Sequence, residues 1–327
     1  MLSYMNRISL ILLFAAFTSS VFAQSLQVST STYSIQLPSA TVDSEGVTLY
    51  DGENVLQTGS YSMPSEPDPS IKVYPLYDGS AILRENIANF LFYDTFGRVT
   101  QSISNSTQSE GGEAISELAH DPAGKTVILY NPKIVSGGNT GSRAKLVAGN
   151  SNPADIYYSG DRALRTVVVS SNGELIALAS MNEGTDDQVM ILDRFGNNLG
   201  VIDFDQDVKG VSFSENGLYI TIYSGGRAAA YEIRSKERVG STSFRNTSLL
   251  YANYSPEDRT IVAVTGTGSG TFTDLEGHAV NVAARKIART DISGSIDLMH
   301  QPMMKRNGAG RYEINGFNQS LSMRASF

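Results

Sequence analysis

Short apolar runs broken by polar turns dominate the chain. Residues 166–170 (TVVVS), 174–180 (ELIALAS), 189–193 (VMILD), 218–223 (LYITIY) and 260–265 (TIVAVT) are β-branched or alternating and are bounded by Gly, Asn, Asp or Ser. Runs of this length with such borders predict buried β-strands rather than helices. Helix signals are scarce, so the pattern predicts an all-β chain.

The pattern also repeats. Residues 167–180 (VVVSSNGELIALAS) match 210–224 (GVSFSENGLYITIYS), 250–266 (LYANYSPEDRTIVAVTG) and 117–131 (ELAHDPAGKTVILYN). Their turn residues Gly124, Gly173, Gly217 and Asp258 are spaced 49, 44 and 41 apart. A second turn follows within several units, at 93–99 (YDTFGRV), 192–200 (LDRFGNNLG) and 273–280 (TDLEGHAV). Asp at the start of such a turn and Gly near its end suit a type I turn or a bulged hairpin. Each unit therefore holds two strands joined by one turn and two joined by the other. Four strands in about 40–45 residues make the blade of a β-propeller.

The units resemble the WD-repeat-like blades of bacterial exported β-propellers. The residues that carry the resemblance are the Ser-x-Asn-Gly turns at 170–173 and 214–217, Ser-Pro-Glu-Asp at 255–258, and the Asp-x-x-Gly turns that open at Asp94, Asp193 and Asp274. The resemblance covers about residues 114–284. It lacks the Trp-Asp and Gly-His pairs of the strict pattern, so it implies the fold and not the WD family's partners. Counting units predicts blades near 35–60, 72–104, 115–150, 163–203, 208–244 and 249–285. Residues 286–327 would give three strands of a seventh, and residues 25–34 its fourth. That closure hides sheet edges that would otherwise pair with other chains, and a self-closed ring of this kind is expected to be a monomer. The terminal SLSMRASF alternates strictly and ends in Phe327. This also fits the last strand of an outer-membrane barrel, so the barrel is the alternative fold.

Composition adds an address. Residues 1–23 carry one charge, Arg7, then an apolar run over 8–17, then Val21 and Ala23 at the two positions a signal peptidase reads. This is the order of a cleaved secretory signal, and the run is too short for a bilayer helix, which needs about 20 residues. The mature chain is then 24–327, a single propeller domain, periplasmic or extracellular. With no Cys it has neither disulfides nor a lipid-anchoring thiol. Loss of one Arg and no acid takes the net charge from −8 to −9, which disfavours nucleic acid as a partner. No second long apolar run exists, so no transmembrane helix is expected.

Candidate chemistry is thin. AHDPAGKT (119–126) ends like a phosphate loop but has Ala119 where the first Gly belongs and sits between strands, so a plain turn is expected. TGTGSGT (265–271) places Thr267 where a nucleophile elbow around Ser269 needs Gly, so a hairpin is expected. His120, His278 and His300 are scattered, which does not suit a zinc site, and His278 is read as solvated in a hairpin turn. Asp203, Asp205 and Asp207 would lie on one face of an extended chain, where they could act as cation ligands or as carboxylates around a channel, but without the glycine of a tight calcium loop a solvated edge or inter-blade loop is the favoured reading. Met299, His300, Met303 and Met304 offer soft ligands for Cu(I), but packing is the favoured reading of these Met residues. The absence of Trp argues against propeller quinoproteins and sialidases. The expectation is a non-catalytic module for a protein or glycan partner, without cofactor, metal or catalytic residues. A propeller hydrolase or lyase acting on an exported substrate is the alternative. N-terminal sequencing of the exported protein is expected to begin at Gln24; a chain that keeps residue 1 would overturn the cleaved signal.

Overall fold

A computed structural model describes residues 24–31, 39–43, 46–51, 54–59, 71–76, 78–85, 89–104, 117–131, 134–136, 139–147, 152–182, 184–245 and 248–327. The signal region lies outside them. Every regular element among them is a strand.

β1 (Ser25–Ser31) stands apart in sequence from the first sheet, formed by β2 (Ser39–Asp43), β3 (Gly46–Asp51) and β4 (Asn54–Gly59). The second is β5 (Lys72–Pro75), β6 (Ala81–Arg84), β7 (Asn89–Tyr93) and β8 (Val99–Ser104). The third is β9 (Glu117–His120), β10 (Val127–Tyr130), β12 (Asn139–Val147) and β13 (Ala154–Ser159), with the short β11 (Ile134–Ser136) folded onto the start of β12. The fourth is β14 (Ala163–Val169), β15 (Leu175–Met181), β16 (Asp187–Asp193) and β17 (Asn198–Phe204). The fifth is β18 (Gly210–Phe213), β19 (Tyr219–Tyr223), β20 (Arg227–Glu232) and β21 (Arg238–Ser243). The sixth is β22 (Ser248–Ser255), β23 (Thr260–Ser269), β24 (Thr271–Asn281) and β25 (Lys286–Ile292), and the seventh is β26 (Ile296–Gly308), β27 (Arg311–Phe317) and β28 (Ser320–Ser326), completed by β1. The last two share one eight-stranded sheet because Thr271 and Phe272 bridge to Asp297 and Ile296. All pairings are antiparallel, and first strands of successive blades touch along most of the series. This is a seven-bladed β-propeller.

The hydrophobic pattern explains the stacking. Middle strands are buried on both faces: Ile176, Ala177, Leu178 and Ala179 of β15 are all 0–1 % exposed. Ala228, Ala229 and Ala230 of β20 are 0 % exposed, and their small side chains let neighbouring sheets approach closely. Fourth strands alternate instead, with Leu199, Val201 and Asp203 of β17 exposed and Ile202 and Phe204 buried. A blade thus has two apolar faces and needs a neighbour on each.

The predicted closure by both termini is present. β1 pairs with β28 from Ser25↔Ser326 to Ser31↔Ser320. Leu26, Leu321 and Met323 from this pair pack on Leu275, Ala279, Ala288 and Ile292 of the sixth blade. The alternation at the C-terminus is therefore that of a blade strand with one face on its neighbour, which removes the reason for the barrel reading. Two predicted boundaries move. The third blade runs on to Ser159 because the β11–β12 hairpin lengthens it, and the sixth runs to Ile292.

Leu321 is 0 % exposed. Leu321→Ala is expected to lower stability by about 3 kcal/mol, read from the urea midpoint. A loss below about 0.5 kcal/mol would mean that the seventh blade does not pack as described.

Candidate functional site

In the second, fourth, fifth and sixth blades two hairpin turns, between the first and second strands and between the third and fourth, emerge at the same end of the blade, and the third blade adds a turn of the first kind. Four of the first kind are four-residue loops. Asp121, Ser170, Ser214 and Ser255 each hold the position before the loop, and the N–H of the first three bonds back across it, to Thr126, Leu175 and Tyr219 carbonyls. Left-handed φ values of 66°, 74° and 69° fall on Gly124, Gly173 and Gly217, where glycine avoids a Cβ clash. In the sixth blade Asp258 stands in the glycine's place, and the left-handed residue is Arg259, φ 49°.

The freed Asp258 side chain joins the sixth blade to the seventh. Its carboxylate accepts from Arg306 Nε (2.9 Å) and Nη2 (3.0 Å), from the Tyr312 hydroxyl (2.9 Å) and from the Gly310 N–H (3.2 Å). Burial alone would raise its pKa, but these donors outweigh it and hold the carboxyl below the usual carboxylate range. The Tyr312 hydroxyl is pushed well above its usual value, first by burial and then by this carboxylate.

The second kind of turn comes in two forms. In the second and fourth blades it has three residues and ends in Gly97 (φ 71°) or Gly196 (φ 86°). Asp94 Oδ1 accepts the Phe96 N–H (2.8 Å) and the Arg98 N–H (3.0 Å). Asp193 Oδ1 does the same for Phe195 (2.8 Å) and Asn197 (2.9 Å). These turns push Phe96 and Phe195 into solvent, 75 % and 67 % exposed. A guanidinium covers each ring: Arg98 lies 5.1 Å from the Phe96 centroid and Arg194 4.7 Å from that of Phe195. In the fifth and sixth blades the turn has four residues and ends in Lys236 (φ 61°) or Arg285 (φ 53°).

The centre is narrow beside the fourth to seventh blades. Between Leu298↔Phe317 and Met303↔Asn315, β26 bulges outward from its partner. The bulge rests on Gly316, where any side chain would collide with Pro302. It carries Gln301 across to the fourth blade, where Nε2 donates to the Val169 carbonyl at 3.2 Å. What remains between Ser170, Ser212, Tyr251, Asn253, Gln301 and Met304 is about 20 Å³, the room of one water.

The acids at 203–207 do not converge. Asp203, on the outermost strand, accepts from Gln188 Nε2 at 2.9 Å. Asp205 pairs with Arg227 at 2.8 Å, and Asp207 with Arg165 at 2.8 Å. Each is held by a different partner. His278 corrects the sequence reading: it is buried in the middle of β24, 2.9 Å from Thr265 Oγ1, with its ring edge-on to Phe244. Burial lowers its pKa. The hairpin expected at 274–277 is not there: β24 continues through it, with only a bulge at the left-handed Asp274 (φ 49°), and the turn comes at 282–285. His120 sits against Asp121 O at 2.8 Å, and burial lowers its pKa too. Residues 265–271 form the tip of the β23–β24 hairpin and 121–126 a capped turn, as expected. The side chains of Met299 and His300 lie outside the described residues; Met304 packs in the core between the last two blades. Among the described residues no group of three or more His, Asp or Glu gathers as metal ligands, and no helix is long and apolar enough to cross a membrane.

No protein-family model matches the chain, and no curated protein matches it. Solved structures do. The Dos1 propeller matches with a TM-score of 0.56 at 13 % identity, over 87 % of this chain and 74 % of that one. Hydrazine synthase of Kuenenia stuttgartiensis matches with a TM-score of 0.49 at 15 % identity, over 79 % of this chain and 76 % of that one. The first likeness supports the propeller fold and nothing beyond it.

Asp258→Asn keeps the shape but loses the charge that Arg306 pairs with. It is expected to lower stability at neutral pH by about 2 kcal/mol, allowing for water's access to the pair. Because the folded-state pKa is depressed, the contribution is present above the unfolded value of about 4 and fades as pH falls through the folded one. Denaturant midpoints of the two proteins should therefore converge in acid. A gap that stays constant down to low pH would refute the ion-pair account.

Proposed function

We propose that this protein is an exported, non-catalytic propeller, periplasmic or extracellular, that holds a protein partner on its turn-bearing end. The observation that carries the reading is the pair of solvent-exposed phenylalanines, Phe96 and Phe195, each fixed by an Asp-capped turn and covered by an arginine. Aromatic and arginine side chains dominate the energetics of protein interfaces. A rigid turn also means that little conformational freedom is lost on binding. Export is supported by the charge, apolar-run and small-residue order of residues 1–23.

Aromatic rings can also stack on sugars, so the test separates the two partners. A photo-crosslinking residue placed at position 95 or 199, beside the rings but outside the arginine cover, is expected in intact cells to capture one protein reproducibly, identified by mass spectrometry. Phe96→Ser with Phe195→Ser should cut that capture by about tenfold or more while leaving the thermal midpoint in place. Capture unchanged in the double variant would remove the rings from the interface. Retention on a glycan array with no protein captured would replace the protein partner with a sugar.

A further inference from the structure

We infer that the same end of the propeller, on its fifth and sixth blades, is a docking surface for an acidic, partly apolar protein segment. This rests on the reading of the protein as a binding module and adds the chemistry of what it binds.

The argument begins with the left-handed turn residues. Most such positions hold glycine: Gly97, Gly124, Gly173 and Gly196 on the second to fourth blades, and Gly217 in the first turn of the fifth. On the fifth and sixth blades three turns instead carry Lys236, Arg259 and Arg285 at φ 61°, 49° and 53°. A side chain with a Cβ is disfavoured there, and glycine would relieve the turn. All three are cationic and lie at one end of two adjacent blades; the fourth left-handed residue other than glycine among the described residues, Asp274 (φ 49°), sits at the irregularity of the β23–β24 pairing and in none of these turns. The protein as a whole carries a net charge of −8, whereas these turns and their flanks carry Arg234, Lys236, Arg259, Arg285 and Lys286 against Glu215, Glu232, Glu237 and Glu257, with Asp258 taken up by Arg306.

The turns form one surface. The Arg259 carbonyl accepts the Val282 N–H at 3.0 Å, and the Asp258 carbonyl accepts from Asn281 Nδ2 at 3.1 Å. The two turns of the sixth blade are thereby tied together. Val282 packs against Gly240 of β21, where a side chain would collide with it. That contact sets the fifth blade's Lys236 turn beside them. In the fifth blade the Ile233 N–H donates to the Leu218 carbonyl at 2.9 Å, tying its two turns in the same way. Arg234 and Lys286 add two more cations. None of the five meets a carboxylate within ion-pair distance among the described residues.

Apolar residues are interleaved with these charges. Leu218 is 60 % exposed, Ile287 55 % and Val239 38 %. The cations are spread over flat turns rather than gathered around a cradle, which suits an extended polyanion better than a single phosphate. Aliphatic rather than aromatic neighbours favour a protein segment over a polysaccharide, which would call for stacking rings. The partner that fits is a chain segment that alternates carboxylates with aliphatic side chains.

The test uses the mature protein and a fluorescein-labelled Glu-Glu-Leu repeat peptide, with polygalacturonate and phosphatidylglycerol vesicles as comparators. The peptide is expected to bind best, with affinity falling about tenfold or more from low to physiological salt. Lys236→Gly, Arg259→Gly and Arg285→Gly together should weaken binding about tenfold while holding or raising the thermal midpoint, because glycine relaxes each turn. Arg234→Glu with Lys286→Glu, which leaves those turns alone, should weaken it as well. Absent peptide binding, an affinity untouched in both variants, or equal binding of polygalacturonate or vesicles would overturn the inference. If crosslinking beside Phe96 and Phe195 still captures a protein in that case, the scaffold reading survives; if both fail, it falls too.

Discussion

Among the described residues, the sheets from the second blade onward are apolar on two sides, and that constraint governs the rest of the molecule. A sheet with one wet face can stop anywhere, but a sheet with two dry ones must be sandwiched. The runs in β15, β19 and β20 are therefore continuous rather than alternating, and only the fourth strands alternate. The same demand falls on the terminal sheet, which finds its last strand at the opposite end of the chain. Hydrogen bonding at the outermost edge and apolar contact with the sixth blade are met together by one seven-residue strand.

With the faces occupied by neighbours, only turns and outer edges are available to the outside. The turn-bearing end is not uniform. Its second and fourth blades present aromatic rings under guanidinium groups, and its fifth and sixth present cations among aliphatic side chains. The two kinds differ by one residue in loop length and by what occupies the left-handed position. The sixth blade shows how such a change can serve two ends. Moving the left-handed residue from 258 to 259 lets a carboxylate stand where a glycine would otherwise be required, and that carboxylate anchors the seventh blade.

Where glycine marks a turn, the sequence shows it. The Asn-Gly turns at Gly173 and Gly217 and the Phe-Gly turns at Gly97 and Gly196 fall where they were read, because only glycine takes those φ values without strain. The sixth blade was misread for the complementary reason. Asp274 and Gly277 have the spacing of a turn but lie within a strand whose pairing with β25 runs from Leu275 to Asn281. The real turn ends in Arg285, a residue type with no turn signature. The burial of His278 was hidden by the same error. At the candidate site, Phe96 and Phe195 sat inside the recognised motifs, yet those motifs were informative about backbone shape and silent about which side chain it would expose. The dispersal of Asp203, Asp205 and Asp207 to three different partners depends on which strands lie side by side, which local spacing does not contain.

The pairing of β1 with β28 joins residues almost a whole chain length apart. Loop closure on that scale is entropically unfavourable, although the penalty grows only slowly with length. Contacts so distant in sequence slow folding and leave strand edges open in the meantime. The seventh blade can be finished only after the last residues have left the ribosome. Until then β28 has no outer partner, and β1 has nothing to pair with. A chain built this way benefits from being kept unfolded until both strands are available. The moment of closure is also the moment at which its stability becomes that of a single cooperative unit.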